Sequence, residues 1–165
     1  MNSVKKTAHV TGILYLVIFF ANLFVFIFVS GSLNVAGDAA TTTDNIQASE
    51  SLYRSGVVSY LIVFLSEIGT TILLYKLLTP VNKTLAMVMM TTRLMQAAVH
   101  AANLINFIFP LILLNGGDYL TSFAPDQINS LVLLFTDVHY YGVLVSEAFF
   151  AVSLFLYSDS KTSTP

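Results

Sequence analysis

The sequence predicts an all-α integral membrane protein, a four-helix bundle with short helical lead-ins in its two outer loops. Three observations carry that prediction. Apolar types make up 56% of the 165 residues and charged types only 10%, whereas a soluble domain carries about 25% charged residues to wet its surface. Mean hydropathy is +0.78. Four stretches reach the roughly 20 mostly apolar residues needed to cross a hydrocarbon layer about 30 Å thick. A water-soluble globule is excluded. With a net charge of −2 there is no basic excess, so nucleic-acid binding by counterion release has no support. The chain has no cysteine, which removes disulfides, thiolate metal sites and Cys nucleophiles together.

Residues 1–9 form an N-terminal segment, residues 10–157 the membrane domain and residues 158–165 a polar tail. The first span is about Val10–Val29, whose core GILYLVIFFANLFVFIFV carries no charge. Lys5 and Lys6 precede it as they would a signal peptide. Its apolar core of about 18 residues exceeds the usual 7–15 and no A-x-A site follows, so it reads as a retained span. The second span is about Ser55–Leu78, interrupted by Glu67. The third, about Leu85–Leu114, is longer than needed and should tilt or bend. The fourth, about Asn129–Tyr157, contains Asp137, His139 and Glu147. The link TPVNKT is short, which makes spans two and three antiparallel neighbours.

In the first outer loop, Asp44 can cap a short helix with Gln47 three residues on, as in a capping box. In the second, Pro125 suits a first helical position and Asp126 complements the helix dipole. Gly37-Asp38 and Gly117-Asp118 follow spans one and three at equivalent places, a hint of a duplicated hairpin or a coincidence of two acidic loops. Lys5, Lys6, Lys76, Lys83 and Lys161 all fall on one side of the spans. Asp38, Asp44, Glu50, Asp118 and Asp126 fall on the other, with Arg54 its only cation. The positive-inside rule then places both termini in the cytoplasm of a cell with this protein in its inner membrane. Tyr15, Tyr75 and Tyr157 sit near one interface and Tyr53 and Tyr119 near the other, as an aromatic belt requires.

A charge inside the hydrocarbon layer costs about 2.5–3.5 kcal/mol on insertion scales, so each needs a reason. At 100° per residue, Arg93, Gln96, His100 and Asn103 share about 80° of span three. Asp137, Tyr140, Tyr141 and Glu147 cover roughly 120° of span four, with His139 pointing elsewhere. Tyr60, Glu67, Thr70 and Thr71 share a side of span two, and Pro110 leaves the Asn106 carbonyl without its helical donor. The three polar stripes should face one another across the bundle. One reading is that they only hold helices together, Arg93 pairing with Glu147 or Glu67, while Ala97/Ala101 and Ala98/Ala102 permit close approach. The other is a polar cavity that admits a small ligand, an ion or protons, since three carboxylates and two histidines exceed what one arginine needs. Histidine titrates near neutral pH, so His100 is the proton-binding candidate and Glu67 its expected partner.

Catalytic signatures are missing: there is no H-E-x-x-H, G-x-S-x-G, P-loop or G-x-G-x-x-G. His100 and His139 lie on different helices, as axial haem ligands would, but their depths differ by about 6 Å. Asp137-x-His139 puts its two groups on different faces, unlike the Glu-x-x-His of carboxylate-bridged metal pairs. Lys76, near a span end, reads as a snorkelling side chain. No catalytic residue, metal ligand or cofactor is assigned, and a membrane enzyme ranks third among the readings. The ligand-binding or proton-binding candidates are Glu67, Arg93, Gln96, His100, Asn103, Asp137, Tyr140 and Glu147.

The runs KKTAHVTGILYL, GSLNVAGDAATTTDNIQASESLYRSGVVS, LLYKLLTPVNKTLAMV with RLMQAA, and GGDYLTSFAPDQINSLVLLFTDVHYYG resemble the bacterial membrane proteins grouped as domain of unknown function 4386. The resemblance covers most of Lys5–Leu156. It implies an all-helical inner-membrane protein and supplies no catalytic residues. Members of that family usually continue through about two further spans, whereas this chain passes from SLFLY into SDSKTSTP. The resemblance thus implies a shortened member or a truncated gene. Part of the bundle would then be uncovered or covered by a partner, either a second copy or another membrane subunit. The lipid bilayer is the remaining partner.

Overall fold

The computed structural model describes residues 3–162, of which residue 119 and residues 156–162 are described by backbone only. Tyr119, Tyr157 and Lys161, named above for the belt and the charge bias, therefore lie outside the described side chains. Among the described residues the secondary structure is helical throughout, with no strand. Four helices are long and apolar enough to cross a membrane.

Helix α1, Ser3–Leu33, starts seven residues before the predicted span. Its turn Val25–Ser30 is π-helical, closed by the Gly31 N–H bonding to the Phe26 carbonyl. A Cβ on Gly31 would lie 2.8 Å from that oxygen, so the residue that ends the widened turn has to be small. Helix α2, Ala39–Ala48, is the lead-in of the first outer loop. Its cap is Asp38, not the expected Asp44, which lies inside the helix. Asp38 has the extended backbone of an N-cap, and Thr41 three residues on donates both its amide (2.9 Å) and its hydroxyl (2.7 Å) to the carboxylate.

Helix α3, Glu50–Leu78, and helix α4, Lys83–Leu114, are joined by the predicted tight link, with Asn82 capping α4 through the Leu85 amide at 3.0 Å. Helix α5, Pro125–Thr162, absorbs the second lead-in into one continuous helix. Pro125 opens it, and Gln127 reaches back to accept the Ala124 amide at 2.9 Å, the reciprocal half of a capping box. Asp118 begins only a 3₁₀ turn, Asp118–Leu120, where Asp38 caps a ten-residue helix. Gly37 has φ 76° and Gly117 φ −79°. The two loops thus lack the common local structure that a duplicated hairpin would show.

Four spans in alternating direction bring the start of α1, the end of α5 and the α3–α4 link to one end of the bundle. Helix α1 packs on α3, α3 on α4 and α4 on α5, while α2 packs against α5. An apolar core fills the end nearest α2. There Ile46 of α2 joins Val29 of α1, Tyr53 of α3, Leu111 of α4 and Val132 of α5, and the Tyr53 and Phe107 rings stack at 4.5 Å. Outside the core, side chains such as Phe20 and Phe155 stand exposed, as lipid-facing positions do.

Candidate functional site

On α4 the buried positions Ala86, Met89, Arg93, Gln96, His100, Asn103, Phe107 and Pro110 repeat at alternating spacings of three and four. This is one face of a helix, and it carries every polar residue of the expected stripe. Glu67 of α3, only 3% exposed, meets it. Gln96 donates from Nε2 to Glu67 Oε1 at 2.8 Å, and His100 Nδ1 stands 2.9 Å from Oε2. Both carboxylate oxygens are thereby engaged. A protonated imidazole makes this contact an ion pair, and a neutral one makes it a hydrogen bond from Nδ1–H. The Thr70 and Thr71 hydroxyls bond back to the Glu67 carbonyl at 2.9 and 2.6 Å, which satisfies them in apolar surroundings.

Arg93 does not pair as the sequence suggests. It is 3% exposed, yet among the described residues no Asp or Glu oxygen lies within 4.0 Å of it. Glu67 is held by residues one and two turns further along α4. The Arg93 guanidinium instead lies between two ring faces, 5.5 Å from the Tyr15 centroid and 5.2 Å from that of Phe150. Its hydrogen bond to Thr70 Oγ1 is long at 3.4 Å, and its Nε has no partner.

The stripe on α5 also differs from expectation. His139 is buried at 6%, while Tyr141 is 65% exposed and Asp137 is exposed as well. Asp137 and His139 are about 200° apart on a helix, so only one can face α4. Packing decides which. Val132, His139, Ser146 and Ser153 recur every seven residues on the buried face. Gly142, close to the same face, lets the helices approach so tightly that an added Cβ would lie 2.2 Å from Asn103 Oδ1. Asn103 donates from Nδ2 to the His139 carbonyl at 2.8 Å, and His139 Nδ1 bonds the Asn103 carbonyl at 3.2 Å. This reciprocal clasp between α4 and α5 consumes Asn103. The Asp137 carboxylate stays outside the bundle.

Helices α1 and α5 scarcely touch among the described residues. The bundle is therefore an open arc, and a cleft of about 910 Å³ runs between them over a floor of α3 and α4. That volume lies in the range of about 300–1,000 Å³ typical of small-molecule sites. Glu67, Arg93, Gln96, Tyr140 and Glu147 of the expected residues reach it, whereas His100 stands behind Glu67. Tyr140 and Glu147 are exposed and sit on its α5 wall. Of the seven buried polar atoms without a hydrogen-bond partner among the described residues, four belong to residues that line the cleft: Arg93 Nε, Gln96 Oε1, His139 Nε2 and Asn34 Oδ1. Such atoms are rare unless water or a ligand completes them.

Sequence reasoning left span one out of the site. Tyr15, Asn22 and Asn34 line the cleft from α1. Tyr15 and Asn22 are seven residues apart, one recurring face in an otherwise apolar span, and that spacing was the available signal. Among the described residues no three His, Asp or Glu side chains are grouped to hold a metal ion. Comparison with curated proteins gives no match, and neither does comparison with solved structures. The family described as Domain of unknown function (DUF4386) matches residues 10–159, and with nine-tenths of its length so covered the chain belongs to that family.

Proposed function

We propose that this multi-pass membrane protein binds a small ligand in the cleft between α1 and α5, with the Glu67–His100 pair as its proton-responsive element. The observation that supports this best is the cleft itself, whose floor presents buried polar atoms lacking partners. Purely adhesive stripes would pair with one another and close. Gln96, which lines the cleft, donates to the same Glu67 carboxylate that His100 contacts, so binding that displaces Gln96 would be felt at the pair.

The chain has no cysteine, so a fluorophore on Leu144→Cys reports the cleft wall alone. In reconstituted vesicles its emission should change with pH. Glu67→Gln and His100→Gln should abolish that response while helical content is kept. A label insensitive to pH in the unaltered background, or variants that lose folding without a separable response, would remove this reading. A second reading, a non-catalytic membrane subunit whose polar groups only join helices, draws on the Asn103–His139 clasp, which ties α4 to α5. Location in the inner membrane, with both termini cytoplasmic, is part of the proposal and rests on the lysines gathered at one end.

A further inference from the structure

The cleft has a shape and a charge that narrow its ligand. Its α1 wall runs from Tyr15 to Asn34, a helical length of about 28 Å, nearly the thickness of the hydrocarbon layer. It opens sideways, because α1 and α5 stand apart, while the end nearest α2 is filled by the apolar core. Between its ends the walls are mostly apolar, with Phe19, Phe26 and Ile27 from α1 and Leu144 from α5 all exposed, broken by Asn22 and Tyr140. A hydrocarbon chain suits the apolar stretches better than water does.

The end marked by Tyr15 and Phe150 is different. There Arg93 is a buried cation that, among the described residues, has no carboxylate within 4.0 Å and an unpartnered Nε. Guanidinium is a planar fork that matches a carboxylate in two parallel hydrogen bonds. Leaving such a charge buried and unpaired is costly, and an anionic head group would remove the cost. We infer that the cleft takes a long-chain carboxylate from the bilayer, its head group on Arg93 and its chain along the α1 and α5 walls. The volume is at the upper end of that for one small molecule, which favours one chain over the two of a phospholipid. This assignment rests on the reading of the cleft as a ligand site and names the class of ligand.

The test uses the full chain in phosphatidylcholine nanodiscs with radiolabelled palmitate. Palmitate should bind saturably at one site per chain, and methyl palmitate should compete at least about tenfold more weakly for want of the charged hydrogen bonds. Arg93→Gln should erase the difference between acid and ester, whereas Glu147→Gln should keep it. The acid–ester comparison on the unaltered chain needs no variant to fold. Equal competition by the ester overturns the assignment, and so does phosphatidylglycerol competing as well as palmitate. Reactivity of Leu144→Cys with a membrane-permeant maleimide separates the two levels. A reactive cysteine with no palmitate binding defeats the ligand class and leaves the site standing, while an unreactive one defeats both.

Discussion

At residue scale the α4–α5 clasp is the sharpest constraint. Gly142→Ala would place a Cβ 2.2 Å from Asn103 Oδ1, so the amide must move and its bond to the His139 carbonyl is lost. Interhelical hydrogen bonds in membranes average about 0.6 kcal/mol, and overpacking costs about 1–3 kcal/mol. We expect Gly142→Ala to lower stability in bilayer unfolding experiments by about 1–3 kcal/mol in all. The double change with Asn103→Ala should cost less than the sum of the two, since the obstructing amide has gone. A double-mutant cycle on Glu67 and His100 should show coupling of about 0.5–3 kcal/mol, and Arg93 with Glu147, which make no ion pair within 4.0 Å among the described residues, should couple more weakly. Strong coupling of the second pair would mean that Arg93 is neutralised within the protein. The α4 stripe was legible because four polar residues at helical spacing can share only one face. The α5 face was not, since polarity favoured Asp137 and the tyrosines while small residues and a buried histidine governed the packing.

At the scale of elements, span lengths and the tight α3–α4 link follow from hydropathy and loop length, so they were readable. The ends were less so, because polar residues such as Lys5 and Asp126 extend a helix beyond the apolar run. The π turn of α1 had no sequence signature: it shows only as the close approach of Gly31 to the Phe26 carbonyl. Helix α2 offers a clean test of its cap. The Thr41 amide and hydroxyl hold the exposed Asp38 carboxyl below the usual carboxylate range. A folded value lower than the unfolded one of about 3.9 means that the capping contribution is present above that pH. It is then lost as pH falls through the folded value. Hydrogen exchange at the Thr41 amide should therefore lose protection on acidification below about pH 4. Asp38→Asn should retain the cap and remove the pH dependence. An amide whose protection ignores both pH and Asp38→Ala would show that tertiary contacts hold the first turn.

At the scale of the whole molecule, the four spans bring the start of α1, the end of α5 and the α3–α4 link to one end, with α2 and the Asp118 turn at the other. Lys5, Lys6, Lys76 and Lys83 gather at the first end. At the second end, the one arginine is already neutralised: Arg54 Nη2 lies 2.6 Å from Glu50 Oε1 one turn away. Orientation follows the distribution of Lys and Arg in short loops, so the lysine end should be cytoplasmic. Reporter fusions after Asp44 and Ser122 should read as external, and fusions at Lys83 and Lys161 as cytoplasmic. Glu50→Ala, which frees Arg54, should leave this unchanged, since one cation faces four across the bundle and acidic residues contribute little to the rule. An external Lys83 fusion would invert the orientation and move Arg93, with the polar end of the cleft, from the cytoplasmic half of the bilayer to the opposite one. The amphiphile proposed for the cleft would then have to enter from the outer leaflet, which a leaflet-selective supply of palmitate to oriented vesicles can distinguish.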